Sequence, residues 1–250
     1  MAKRLAGAMA GPGVTTMSFV KHRLAAALAV VGVASLVTFL QVEANHETDD
    51  QISEEAVWNA SDGDLTAISQ ACKDPAAPGY TACFIEQMGG YASSEAVAFS
   101  QMLVSQKPPR LGYLAGMKES GIVDLGYVVY PGSAKSSRGW ALLNGVPSLV
   151  NVDDISLLPK FDMEKDAQFA TLHRNHPQLE LAVNDDQRRA ESSPQVEPLG
   201  EGGEMFVIPY SLQEPCATCA PVGNAIFGFD FDSAGKFQRV KFLKVEILHP

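Results

Sequence analysis

The run "AIFGFDFDSAGKFQRVKFLKVEIL", residues 225–248, decides the fold class. Phe227, Phe229 and Phe231 recur at every second position, the period of a strand that turns alternate side chains toward a core. "DSAGK" supplies turn formers, and the returning arm is again rich in aromatic and β-branched residues. The apolar phase of that arm slips from Val240/Phe242 to Leu243/Val245/Ile247. A slip of one residue between Phe242 and Leu243 predicts a β-bulge.

Working upstream, "EMFVIPYSL" places Phe206, Ile208, Tyr210 and Leu212 at strand spacing. Two further hairpins are expected earlier. "RLGYLAGM" pairs with "GIVDLGYVVYPG" across Glu119-Ser120-Gly121, and "GWALLNGVPSLVNVDD" carries Asn144-Gly145 between apolar runs. Pro147 in the second arm marks an edge or irregular strand. Helical spacing dominates before residue 108. Asp64 can cap "LTAISQACK", Thr81 can cap "ACFIEQM" ahead of Gly89-Gly90, and Ser94 can cap "EAVAFSQMLVSQ", which Pro108-Pro109 ends. A fourth helix is expected to start at Asp162 and stop before Pro177, followed by a short strand, "QLELAV". Short helices first and antiparallel strands later make an α+β protein: N-terminal helices packed on a mainly antiparallel sheet. One such domain over residues 64–250 is expected, with a polar surface loop at 184–204 and an acidic linker at 45–63.

The N-terminus gives an address. Lys21, His22 and Arg23 precede seventeen uncharged residues, 24–40, and a small-residue ending at Val42-Glu43-Ala44. That order is a signal peptide cleaved after Ala44, or an anchor through residues 24–40, since seventeen residues is the lower edge of a bilayer span. Residues 1–44 carry four Lys/Arg and one Glu, so the chain's net charge of −10 becomes −13 for the remainder. So acidic a surface repels phosphate backbones and anionic lipids, which disfavours nucleic acid and peripheral membrane binding. Contact with a membrane is then expected only through the N-terminal segment, if it is left uncleaved.

Four cysteines lie in the exported part: Cys72, Cys83, Cys216 and Cys219. An even number outside the cytoplasm favours two disulfides among three connectivities, and local pairing is the simplest. The C-x-x-C of Cys216 and Cys219 has two rival readings. A redox catalyst sets its first cysteine at a helix N-terminus, yet here Ala220-Pro221-Val222-Gly223 leads into a strand, with Glu214 and Pro215 alongside. A zinc site would need its second half from Cys72 and Cys83, with ten residues between them and without the tight loop that presents two thiolates. A covalent staple fits best, contributing roughly 2 kcal/mol for Cys216–Cys219 and about 3 kcal/mol for Cys72–Cys83 on the chain-entropy estimate.

"HPQLEL" followed by "FVIPYSLQEPCATCAPVGNAIFGFDFDSAGKF" resembles the C-terminal module of a group of uncharacterised exported bacterial proteins. Those similarly run a Phe-Val-x-Pro-Tyr strand, a C-x-x-C, a Val-Gly-x-Ala step and a Phe-Asp-x-x-Gly hairpin. The resemblance spans residues 176–242 and implies an exported bacterial protein; it implies no activity.

Other candidates are weaker. Asp230, Asp232 and Gly235 begin like a calcium loop, but Ala234 and Lys241 stand where oxygen ligands are needed, so a hairpin turn is expected. His173 and His176 are three apart, but Pro177 disturbs helical geometry at His176. Of the carboxylate pairs Asp49-Asp50, Glu54-Glu55, Asp153-Asp154 and Asp185-Asp186, only Asp153-Asp154 follows an apolar strand, where one carboxylate could be buried and tuned. No G-x-S-x-G, H-E-x-x-H, Walker or G-x-G-x-x-G pattern occurs. The expectation is a disulfide-stapled, non-enzymatic binding or accessory protein of the periplasm or cell exterior, needing no cofactor or metal. Its partner would be an envelope protein or a small ligand. Thiol–disulfide exchange at Cys216/Cys219 and an envelope enzyme with an unrecognised site are the alternatives.

Overall fold

Buried aromatic side chains on β-strands organise the structure, a computed structural model that describes residues 51–107, 109–132, 137–183, 193–216 and 219–248. All of these belong to one unit, residues 46–250. The leader lies outside the described residues.

Three helices come first: α1 (Asp62–Cys72), α2 (Tyr80–Met88) and α3 (Ser94–Ser105). Each starts slightly earlier than its sequence suggests. Ser61, rather than Asp64, caps α1; the two form a capping box, each side chain accepting from the other's backbone N–H at 3.0–3.1 Å. Gly79, held at φ +93°, opens α2 in place of Thr81, because a residue there must adopt the left-handed region. Ser93 caps α3 and also donates to the Glu55 carbonyl.

The strands divide between two antiparallel sheets where a single sheet was expected. β1 (Tyr113–Lys118), β2 (Asp124–Tyr130), β3 (Ser137–Leu143) and β4 (Leu149–Asn151) form the first, in that order. After α4 (Lys160–Glu164) and α5 (Ala167–Asn175), the strands β5 (Glu180–Ala182), β6 (Gln195–Pro198), β7 (Glu204–Gln213), β8 (Gly223–Phe231) and β9 (Phe237–Ile247) form the second. Its order is β5-β7-β8-β9, with β6 also paired to β7. The expected bulge is present: Ile226 pairs with Lys244 but Phe227 with Phe242, leaving Leu243 over. Asn144-Gly145 opens a longer connection, residues 144–148, and β4 beyond Pro147 is an edge strand.

Alternation explains why two sheets arise. In β2 and β3, Leu125, Trp140 and Leu142 face the second sheet's Phe206, Ile208, Tyr210, Phe227 and Phe229, all in one core. The intervening Val128, Tyr130, Ala141 and Leu143 face α3 and the chain before α1. Helices, sheet and sheet thus stack in layers, with the first sheet buried on both faces. Polar links cross the sheet–sheet junction as well: Glu204 accepts from the Val123 N–H at 2.7 Å, and the buried Tyr210 hydroxyl donates to the Val152 carbonyl. Tyr210→Phe deletes that donor and strands a buried carbonyl. It should lower the unfolding free energy by about 1 kcal/mol, measured by urea titration with an unchanged m-value.

Three sequence expectations require correction. The acidic stretch read as a linker is stitched to the first sheet from residue 51 onward. Ile52, Ala56 and Trp58 are buried, and Trp58 donates its N–H to the Leu114 carbonyl. The Asn144 side chain pairs with both backbone groups of Ile52, at 2.7 and 2.9 Å. The loop expected at 184–204 contains β6 on the edge of β7; residues 184–192 of it lie outside the described residues. The single helix from Asp162 is two. α4 ends at Glu164, and Asp166 caps α5 by accepting from the Gln168 and Phe169 N–H groups.

Candidate functional site

Both disulfides are local. Cys72–Cys83 joins the end of α1 to α2 with Cα atoms 5.7 Å apart, and Cys216–Cys219 closes within the β7–β8 loop at 5.3 Å. Each cysteine separation is within the normal range for a bridge. The element after Cys219 is β8, starting at Gly223, so no helix dipole acts on the C-x-x-C from that side. Cys72 packs on the cluster of Ile68, Phe84 and Met88. Cys216 is exposed and Cys219 half-buried.

The remaining candidates are held in structural roles. Asp232 Oδ1 accepts from the Ala234 and Lys236 N–H groups, and its Oδ2 from Gln238, which is a hairpin turn closing on itself. Asp230 is instead held by Arg239 and Lys241, which approach it at 3.2 and 3.1 Å. The loop's two aspartates therefore have separate partners. His173 stacks on Phe169, while His176 ends α5 and pairs Nδ1 with Glu214 at 3.2 Å. The histidines likewise have separate partners.

Asp153 and Asp154 also part. Asp154 caps the 3-10 turn Ile155–Leu157 through the Ser156 N–H and hydroxyl. Asp153 is buried, its side chain 1% exposed, with the Arg110 guanidinium 3.8 Å away. Gly139 makes the room: a Cβ there would collide with the Asp153 carboxylate. Arg110 is itself fixed, stacked 3.7 Å over the Tyr130 ring and donating to Ser137 Oγ at 2.6 Å. A guanidinium locked by three neighbours compensates a buried carboxylate; it ties the start of β1 to β3 and β4. Nearby, Tyr113 has its phenol pushed above the usual range, by burial first and then by Tyr127 and Asp62. The Glu54-Glu55 pair sits exposed in a 3-10 turn, and the other two pairs lie outside the described residues.

A groove that His173 borders, alone among these residues, lies between α4, α5 and β5, about 710 Å³ in volume. Met163, Phe169, Leu179 and Leu181 supply its apolar lining. Lys160 and Arg174 contribute positive charge, Glu164 and Glu180 negative, and among the described residues no ion pair engages any of the four. Close by, Phe161 is 69% exposed with Lys165 Nζ 3.7 Å above its ring.

No family model, curated protein or solved structure matches this chain. The groove's chemistry therefore rests on its own residues. The break at Asp166 creates it: α5 turns to lay Phe169 and Leu172 on the second sheet, where Leu172 lies beside Gly223. β5 meanwhile is the end strand of that sheet and borders the groove with Leu179, Glu180 and Leu181. Sequence periodicity missed this site because it read one continuous helix through Asp166. The Asp-x-x-Phe spacing of an N-cap before an apolar residue was the available signal.

Among the described residues no helix is long and apolar enough to cross a membrane.

Proposed function

We propose that the chain is an exported binding or accessory protein of the bacterial cell envelope, and that it holds an extended segment of a partner protein in the α4–α5–β5 groove. The groove carries the reading. An apolar trough runs beside an edge strand, whose outward backbone groups can accept another strand while Leu179 and Leu181 meet its side chains. Uncommitted charges of both signs around it suit a segment with mixed polar residues better than a simple anion. Export is supported by two disulfides in a chain whose N-terminus reads as a leader, and by the resemblance of residues 176–242 to exported bacterial modules. The ion-paired setting of Asp153 and the separation of His173 from His176 favour binding over catalysis.

A phage-displayed library of seven-residue peptides, selected on the oxidised protein, tests this. Selected peptides should slow amide exchange in residues 179–183 and in α5, and Lys160→Glu combined with Arg174→Glu should weaken them at least about tenfold. Protection confined to other elements, or binding indifferent to the double charge reversal, overturns the reading.

A further inference from the structure

We propose that the Cys216–Cys219 disulfide is a redox site that accepts two electrons from the dithiol of a partner protein, while Cys72–Cys83 remains closed. The two bridges differ in two physical respects. Cys216 is exposed at the surface, whereas Cys72 packs into the cluster built by Ile68 and Phe84. Nucleophilic attack needs access to a sulfur, and exposed bridges are the labile ones.

Their mechanical roles differ as well. Cys72–Cys83 joins two helices; Cys216–Cys219 closes a ring inside one loop whose ends are already pinned. Leu212 pairs with Gly223, the Val222 N–H donates to the Leu212 carbonyl at 2.9 Å, and the Leu248 N–H donates to the Val222 carbonyl at 3.0 Å. Opening the ring leaves the β7–β8 register in place. The two thiols would stand three residues apart in one short loop, so the ring can close again.

The direction of electron flow follows from the setting. Cys216 and Cys219 are already bonded to each other, so the bridge can only accept electrons, and the attacking sulfur belongs to the partner. The partner's thiolate bonds to Cys216 Sγ and displaces Cys219 as thiolate, giving a mixed disulfide. The partner's second thiolate then bonds to its own first sulfur and releases Cys216. The partner dithiol is oxidised to a disulfide, this chain's disulfide is reduced, and two protons pass from the partner's thiols to Cys216 and Cys219. This holds whatever fills the groove.

Peptide mass spectrometry after graded dithiothreitol treatment and alkylation is the test, repeated with reduced thioredoxin as a protein dithiol. Cys216 and Cys219 should become alkylated at a dithiothreitol concentration at least about tenfold below that needed for Cys72 and Cys83. Thioredoxin should reduce the first pair with no change in near-ultraviolet circular dichroism. Simultaneous opening of both bridges, earlier opening of Cys72–Cys83, resistance to thioredoxin, or loss of the near-ultraviolet signal on reducing Cys216–Cys219 each overturns the proposal. The Cys216→Ser/Cys219→Ser protein supplies a second readout: it should keep the parent near-ultraviolet spectrum, and a lost spectrum counts against it.

Discussion

Phe227→Ala should cost about 3–5 kcal/mol of unfolding free energy, the largest loss expected from any single truncation in this chain. Phe227 is fully buried in the middle of β8. Its ring meets Tyr210 on β7 and Phe242 on β9 edge-on, with centroids 5.5 and 5.7 Å away. Removing it takes away transfer free energy and both aromatic contacts, and leaves a cavity between rigid strands that cannot collapse. In a body of roughly this size the thermal midpoint should fall by roughly 6–20 °C in scanning calorimetry, given about 2–4 °C per kcal/mol. An equally deep loss is not expected for Phe161→Ala, because that ring is already mostly in water.

Cys72→Ala combined with Cys83→Ala is expected to lower stability by about 3 kcal/mol, seen as a midpoint drop of roughly 6–12 °C under non-reducing conditions. The bridge restrains a twelve-residue loop in the unfolded chain. In the folded chain it holds α1 and α2 together over a small cluster, where Ile68, Phe84 and Met88 have Trp58, Tyr80, Ala96 and Tyr113 as buried company. So small a cluster supplies little hydrophobic stabilisation of its own. Loss of the bridge should also raise amide exchange in α1 and α2 well before it does so in β7 and β8, since local opening follows local packing.

Where sequence reading succeeded and failed has physical causes. Aromatic alternation in β7, β8 and β9 carries both period and phase, so the hairpin and its bulge at Leu243 were legible to the residue. The α+β class followed from the same change of period. Residues 51–61 read as linker because the 45–63 stretch around them carries six acidic side chains, which mask Ile52, Ala56 and Trp58. What orders them is Asn144, a contact across 92 residues that no local pattern contains. β6 was hidden in a polar run since Gln195, Glu197 and Pro198 suit an edge strand that shows one side to water. The division into two sheets depends on which strand faces which, a long-range choice made by the sides of Leu125 and Val128. Of the candidate site, the local disulfide pairs were readable from compartment and spacing. The groove was not, because it exists only where β5 comes to lie beside the α4–α5 break.

The Cys72–Cys83 bridge braces α1 against α2. Disulfide mapping of the protein recovered from its own cells, with thiols blocked by alkylation at lysis, tests that most directly. Cys72 and Cys83 should be recovered bonded to each other. Recovery of these two as alkylated thiols, or bonded instead to Cys216 and Cys219, would contradict it.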